Sequence, residues 1–446
     1  MEENIKNIVD RALEMAKNAG CSDSRAGAEI SVQSSFSVRN NMLDRLNSST
    51  GSTLFLQLFI DGRYGYYSTN RTDEKELKEF IGKAAEATKL IAPDHDRILP
   101  PKELLFKGET KDLGQFDPSY NQITPEEKRE IAFQCSKEIF EKDPRIISTN
   151  CEYGDSLESY YMADTQGFCG ESKQTSFSVS AECSAIDRDG AKPEAWWYES
   201  SMDFSSLEKE GCGKIAMERA LARLGPRKMK SGLYNMVLEN SVASRVVSPI
   251  ISALNGSAIH QNNSFLADKL GMKLFPENLY IMDRPHLYGY EGSRFFDSEG
   301  LETKSMNIID GGVIQNYYLN TYNARKLGME PTIEGPSLLS LSLNNTFPTG
   351  IPKVTQKEVL NECGKGILVT GFNGGNSNSA SGDFSFGVQG FYFENGIILH
   401  PIKEMNVTGN ILELWNSLKI SGDDPKRGSR WLIPTLMFES VTFNGN

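Results

Sequence analysis

The sequence predicts an α+β fold, with a mixed α/β N-terminal half followed by a β-rich C-terminal half built as an antiparallel sandwich or a barrel. Three observations carry that reading. Helical periodicity and strand alternation are interleaved early in the chain: Ile5, Ile8, Val9, Ala12, Leu13 and Ala16 form one face of a helix, and Ala28, Ile30, Val32, Phe36 and Val38 alternate as a strand. Later in the chain, alternation and hairpin turns dominate. Between the two styles stands Gly225-Pro226, a helix stop, so the expected domains are 1–225 and 226–446.

In order, the first helix ends near Gly20. Leu54, Leu56, Leu58 and Ile60 make the second strand, and Asp61-Gly62 turns it into a third strand from Tyr64 to Thr69. Thr72 is the candidate cap of a helix whose buried stripe is Leu77, Phe80, Ile81 and Ala84, with Asp73, Glu74 and Glu76 complementing its dipole. Residues 91–122 carry several prolines and little periodicity, which reads as a long surface connection. Within it, Asp94-His95-Asp96 has no further metal ligands nearby and reads as a solvated loop. Thr124-Pro125-Glu126-Glu127 is a helix start. Strands follow over Ile146–Tyr153, Ser159–Thr165 and Phe177–Ala185, with a turn at Asp189-Gly190. Trp196, Trp197 and Tyr198 read as strand packing rather than as a binding platform. A helix is expected from about Ser205 to Gly225.

The second half opens with a strand over Leu233–Leu238 and a helix marked by Val242, Val246, Val247, Ile250, Ile251 and Leu254, with Pro249 weakening it from inside. Asp310-Gly311-Gly312 reads as a hairpin, and Thr355-x-x-Glu358 caps a short helix that stops at Gly364. After a strand over Ile367–Thr370 comes the stretch around which the chain is organised, Gly371–Gly390. The apolar phase then changes from Phe384, Phe386 and Val388 to Phe391 and Phe393, which predicts a bulge at Gly390. Asn395-Gly396 is a type I′ hairpin signal, and Asn410-x-x-Glu413 caps a last helix bearing Ile411, Leu414, Trp415 and Leu418.

Composition narrows the function classes. The 446 residues carry a net charge of −12, against the basic patch that a nucleic-acid surface needs. No apolar run is long enough to span a membrane, and MEENIKNIVDR lacks the features of a secretory leader. Seven scattered cysteines without a CxxC pair fit reduced thiols, so a cytoplasmic protein is expected.

Gly371–Gly390 reads GFNGGNSNSASGDFSFGVQG. Glycines give backbone room and positive φ, while Asn and Ser give short hydrogen-bonding side chains. A mobile loop of this kind, anchored on the strand that starts at Phe384, can hold a ligand through its N–H and C=O groups; the other reading is a plain connector. It lacks the Lys and the following helix of a phosphate loop. The expected peptide- or partner-contacting residues are Gly371, Asn373, Gly374, Gly375, Asn376, Asp383, Phe384 and Ser385, joined by Asp297 and Glu299 of the Asp297-Ser298-Glu299-Gly300 turn. The strand from Phe384 is read as a sheet edge able to accept an extended peptide. Catalytic groups are few. His95, His260, His286 and His400 include no pair at i,i+4, no G-x-S-x-G elbow occurs, and Asp297, Glu299 and Asp383 are either an acid/base group or turn residues.

The block GFNGGNSNSASGDFSFGVQGF, followed by ENG, a proline, EMNVTGN and a C-terminal strand, closely resembles the TldD/PmbA family, once named modulators of DNA gyrase. Asp61-Gly62-Arg63-x-Gly65 with Ser68-Thr69, and the Asp297-Ser298-Glu299-Gly300 turn, also fit, and the resemblance covers nearly the whole chain. It implies a protease of two related subunits acting on unfolded peptides, including microcin precursors and antitoxins. In the family the TldD subunit binds zinc through an HExxxH helix and a cysteine near its C-terminus, and the TldE (PmbA) subunit lacks these ligands. Here the HExxxH positions are occupied by Val247, Ser248 and Ser252 with Pro249 between them, and no cysteine follows Cys363. The resemblance therefore implies a TldE-like chain without its own catalytic residues or metal. Its expected partners are a TldD-like zinc-bearing subunit and unfolded peptides, with a homodimer as a second assembly. A stand-alone regulator of gyrase and a metal-independent hydrolase are the alternative functions.

Overall fold

One pattern, a helix, three antiparallel strands and a second helix, builds the first half twice. In the computed structural model, which describes residues 2–108, 111–347 and 351–445, the first unit runs Glu2–Asn18, Asp23–Arg39, Met42–Ile60, Arg63–Thr69 and Glu74–Lys89. The second runs Pro125–Lys137, Ile146–Asp164, Cys169–Ala185, Glu194–Ser201 and Cys212–Ala222. Antiparallel pairing of Asp23–Arg39 with Ile146–Asp164, from Arg25 opposite Asp164 to Arg39 opposite Asn150, fuses the two ribbons into a six-stranded sheet.

Strand alternation assigns the faces. Ala26, Ala28, Phe36 and Val38 point to the helical side, where they meet Cys151, Tyr153, Leu157 and Ala163 of the neighbouring strand. All four helices cover this one face in two adjacent cores. Within the core of the second unit lies a buried polar tie: Asp155 accepts from Ser34 Oγ and Tyr120 O–H, each at 2.9 Å, and pairs with Lys128 at 2.7 Å. The opposite face is polar, and Gln33, Ser35, Asn47, Ser49, Ser156 and Ser178 line a shallow groove of about 510 Å³ on it.

The second half begins at Arg227 and closes on itself. Strands Gly232–Leu238, Lys365–Ser377, Asp383–Glu394, Ile397–Asn410 and Leu436–Asn444 pair in ring order, closed by Asn406 opposite Asn444. This is the barrel alternative of the sequence reading, with one parallel pair among antiparallel ones. A second sheet, Val313–Ile314, Met306–Asp310, Leu279–Asp283, Leu339–Leu343 and Trp431–Leu432, lies beside it. Helices Ser244–Ala253 and Ile411–Asn416 fill the core, where Trp415 donates its indole N–H to the Val246 carbonyl at 3.1 Å.

Several details differ from the sequence reading. Asp73, rather than Thr72, caps its helix, accepting from Lys75 N and Glu76 N. The helix expected from Ser205 is confined to Cys212–Ala222, because Gly211 at φ 87° and an Asp203 turn break the preceding segment. The strand ending at Ile60 begins at Met42, well before its apolar alternation starts. The 91–122 connection is strapped between the halves: Phe106 N donates to Gly300 O at 2.9 Å, Glu302 N to Leu104 O at 3.0 Å, and Thr175 N to Gln115 O at 2.8 Å. Among the described residues, no helix is long and apolar enough to cross a membrane.

Gly390 lies in a continuous strand, and the ladder irregularities sit in its neighbours, between Val369 and Gly371 on one side and between Ile402 and Met405 on the other. The apolar phase changes because the covered face changes. Phe384, Phe386 and Val388 enter the main core, whereas Phe391 and Phe393 are buried on the opposite face with Val359 and Leu360 of helix Gln356–Cys363. A Cβ at Gly390 would stand 2.0 Å from the Leu368 carbonyl oxygen. Gly390→Ala is therefore expected to lower stability by about 2–3 kcal/mol in urea denaturation. Gly82→Ala, in open space on a helix, is expected to raise it by about 0.5–1 kcal/mol.

Candidate functional site

The Gly/Asn/Ser stretch forms one arm of a hairpin instead of a loose loop. The strand Lys365–Ser377 continues through it, with Gly371 opposite Gln389 and Gly375 opposite Phe386. The pairing slips between Phe372 and Gly375, so Asn373 and Gly374 bulge out. Gly374 and Gly375 hold φ of 100° and 82°, which glycine adopts without a Cβ penalty. The turn is fixed by Asn378, whose side chain accepts from Ala380 N and Ser381 N, and by Asn410 Nδ2, which donates to Ser381 O and Asp383 Oδ1.

Asn373, Gly374, Gly375, Asn376, Asp383 and Ser385 are exposed, Gly371 is half-buried, and Phe384 points into the core. The strand from Phe384 is hydrogen-bonded to a neighbour on each side, so it offers no edge to a peptide. The open edge is on the other strand, beyond Val369, where the parallel pairing with Gly232–Leu238 ends. There Arg245 donates from Nη2 to the Gly375 carbonyl at 2.6 Å and stands over the Phe386 ring.

Arg245 belongs to helix Ser244–Ala253, which also carries the positions compared with HExxxH. Its exposed face holds Arg245, Ser248 and Ser252, while Val247 is fully buried. Residues five apart on a helix lie about 140° apart, and here they fall on opposite sides of the core boundary. A zinc site does not fit this donor set, since Val247 offers only hydrocarbon inside the core. Among the described residues, no group of three or more His, Cys, Asp or Glu side chains is placed to hold a metal. Cys363 is engaged locally, with its thiol on the Lys365 carbonyl.

Asp297 and Glu299 stand elsewhere, in a turn where the halves meet. Asp297 is 2% exposed. Its Oδ1 accepts from Glu299 N and Leu301 N, both at 2.9 Å, and its Oδ2 accepts from Glu334 N at 3.3 Å. Glu299 accepts from Thr321 N and Oγ1 at 2.7 Å, at the start of helix Thr321–Leu327. Burial, followed by the Glu334 carboxylate, pushes the Asp297 carboxyl well above its ordinary range. Burial also raises Glu299, against the opposing Thr321 bonds. Burial would raise Glu334 too, but the Asp297 carboxyl and the Arg294 guanidinium outweigh it and hold Glu334 low. The two carboxyls are thus pushed in opposite directions, Asp297 up and Glu334 down, with Arg294 anchoring Glu334 at 2.9 Å. Asp297, Arg294, Phe295, Phe296 and Tyr160 line a cavity of about 490 Å³ between the halves.

Asp383 belongs to a separate network with Ser381 and Asn410, whose hydrogen bonds lower its carboxyl. The three carboxylates thus do not assemble into one acid/base group. Asp94 and Asp96 pair with Lys326 at 3.0 and 2.7 Å, which ties the connection to the second half. Trp197 packs as expected, but Trp196 is 61% exposed and stacked on Tyr198. Sequence reading missed Arg245 and Glu334. Arg245 was discoverable, since it shares the polar phase of its helix with Ser248 and Ser252. Glu334 carries no local signal and meets Asp297 only through the fold.

The raised carboxyl gives a pH prediction. A folded-state pKa above the unfolded value contributes stability that is fully present below the unfolded pKa and is lost as pH rises through the folded one. Asp297→Asn keeps an acceptor for the turn and removes the ionisation. It is expected to melt about 2 °C above wild type at about pH 8, with the gap narrowing toward about pH 5. Thermal denaturation followed by circular dichroism checks this.

Three family models cover most of the chain: PmbA/TldA metallopeptidase domain 1 over 27–88, the central domain over 118–224 and the C-terminal domain over 231–445. A crystal structure from Bacteroides thetaiotaomicron, named as a candidate modulator of DNA gyrase, is 43% identical, with TM-score 0.94 and coverage of 99% of both chains. The metalloprotease PmbA of Escherichia coli O157:H7 is 28% identical over 94% of this chain and 91% of its own. TldE of Thermococcus kodakarensis, at 18% identity, shares the fold, with TM-score 0.81 over 98% of this chain and 100% of its own. By sequence along its length and by fold, the chain belongs to the PmbA/TldD family.

Proposed function

We propose that this chain is a TldE/PmbA-like, non-catalytic subunit of a cytoplasmic zinc-dependent protease. Its N-terminal part, 1–225, and C-terminal part, 226–446, together with a TldD-like zinc-bearing subunit, enclose a chamber for unfolded peptides. The observation that carries this reading is the helix Ser244–Ala253. At the positions where the resemblance expects metal ligands it presents a buried valine, Val247, and two exposed hydroxyls, Ser248 and Ser252. The likeness to metalloprotease PmbA and to TldE supports it.

Gly371, Asn373, Gly374, Gly375, Asn376, Asp383 and Ser385 form the peptide-facing arm, and Phe384 anchors it. An extended chain would add to the open edge of Phe372–Ser377, where main-chain pairing gives affinity with little sequence preference. Asp297, on the wall of the cavity between the halves, and Glu299 in the same turn complete the proposed peptide- or partner-contact set. A second reading, regulation of DNA gyrase, is favoured by the names that two similar structures carry. Co-purification separates the two: a stoichiometric TldD-like chain supports the first, and gyrase subunits support the second.

A peptidase assay tests the proposal directly. The chain alone, holding no stoichiometric zinc, is expected to cleave nothing, and mixing it with a TldD-like chain is expected to give activity on unfolded peptides that a chelator abolishes. Metal-independent cleavage by the pure chain would overturn the reading.

The arm has its own test. Valine at Gly375 would place a Cβ 2.0 Å from the Ser385 carbonyl and damage the hairpin, so Gly374 is the cleaner position, with nothing within 4 Å. Gly374→Val is expected to cost about 1–3 kcal/mol locally through its positive φ, and to lower cleavage by the mixed complex at least about tenfold. A folded, partner-bound variant that cleaves at the wild-type rate would make the arm a connector only.

A further inference from the structure

We propose that Asn373-Gly374 is a site of spontaneous deamidation, through which the Gly/Asn/Ser arm gains a negative charge as the protein ages. The reaction needs a carboxamide free to turn, a following main-chain nitrogen free to approach it, and no Cβ in the way. Gly374 has no Cβ, and one built there would meet nothing within 4 Å, so the space around it is open. Asn373 and Gly374 are both exposed, and Asn373 lines a shallow, water-accessible cavity of about 370 Å³. The pairing slips between Phe372 and Gly375, so neither residue has one opposite it in the ladder. The Asn373 side chain makes no hydrogen bond among the described residues.

The chain contains four Asn-Gly pairs, and the other three are held. Asn255 caps the helix Gly256–His260, its Oδ1 accepting from Ser257 N at 3.0 Å, while the buried Gly256 donates its N–H to the Tyr318 carbonyl at 2.7 Å. In the Asn395-Gly396 turn, both residues have positive φ and Gly396 N donates to Gly364 O at 3.3 Å. Asn444 Nδ2 donates to Thr408 Oγ1 at 2.8 Å, and Gly445 N donates to Ser231 Oγ at 3.0 Å. In each of these three the attacking nitrogen is already engaged. Sequence alone makes the four equivalent, and the bulge singles out Asn373.

The chemistry balances with water as the co-reactant. Gly374 N, on losing its proton to solvent hydroxide, attacks Asn373 Cγ. The N–Cγ bond forms, the Cγ–Nδ2 bond breaks, and Nδ2 takes up a proton and leaves as ammonia. Water then opens the cyclic imide at either carbonyl, leaving aspartate or isoaspartate at 373. Either product puts a carboxylate near Gly375, whose carbonyl Arg245 holds. Isoaspartate also lengthens the main chain by one methylene inside the bulge. The site stands whether or not the arm faces a peptide.

Peptide mapping by mass spectrometry tests this on the full chain, incubated folded and in urea at about pH 8, where the proton loss is favoured. The readout at each Asn-Gly is exchange of the amide NH2 for OH. In the folded chain, Asn373 is expected to react at least about tenfold faster than Asn255, Asn395 or Asn444, because reaction at those three awaits local opening. In urea the four rates should converge. Asn373 reacting no faster than the others in the folded chain would overturn the proposal. So would a preference for Asn373 that persists undiminished in urea, since the bulge would then have no part in it.

Discussion

The molecule depends on the antiparallel seam between Asp23–Arg39 and Ile146–Asp164. Each three-stranded ribbon packs its apolar face under two helices in a core of its own. Joined at the seam, the ribbons present one continuous apolar face to four helices and leave the polar face outside. One end of the seam is locked by Arg25 and Asp164, an ion pair at 2.9 Å with both side chains buried. Asp164 also accepts from Gln166 N and Phe168 N through its other carboxylate oxygen, Oδ1, so its remaining lone pairs are bonded while Arg25 supplies the counter-charge. Removing either partner would leave an uncompensated buried charge, at a cost of about 3–5 kcal/mol.

The seam reaches the second half through that same end. Arg25 lies near the Phe168 ring, which stacks edge-on against Phe296, and Phe296 adjoins the Asp297 turn. The positive charge of Arg25 also favours the ionised form of Glu299. A chain of contacts therefore runs from the centre of the first sheet to the acid cluster between the halves. The strapped 91–122 connection adds main-chain bonds across the same boundary, so this segment acts as a structural tie. Its prolines remove backbone donors where the chain could not have paired as a strand.

How far the sequence was legible depends on how local the determining interaction is. Capping boxes at Thr124–Glu127 and Thr355–Glu358, and the turns at Asp61-Gly62 and Asn395-Gly396, are set by neighbours within a few residues, and the structure holds each of them. Met42–Ser52 was unreadable because an exposed strand paired on one side buries nothing, so no alternation marks it. The repeated helix–three strands–helix unit was hidden for a related reason: the two copies share spacing and topology while their side chains differ. The Gly371–Ser377 arm was read as a loop because its glycines resemble loop chemistry. They serve a bulged strand in which Gly375 must let the Ser385 carbonyl approach.

The arm and the helix Ser244–Ala253 are far apart in sequence, yet Arg245 binds them directly. That contact brings the Gly/Asn/Ser arm and the exposed face of the helix into one place. The guanidinium satisfies a carbonyl on an otherwise open strand edge and fixes the bulge beside the helix's exposed face. On that face the side chains are a cation and two hydroxyls. With Val247 turned into the core, the helix keeps hydrogen-bonding groups at its surface and hydrocarbon, with no donor for zinc, at 247. The separation of these two capacities follows from helical phase: a residue at 247 serves packing, a residue at 252 serves the surface, and a single metal could be shared between them only if the helix were distorted.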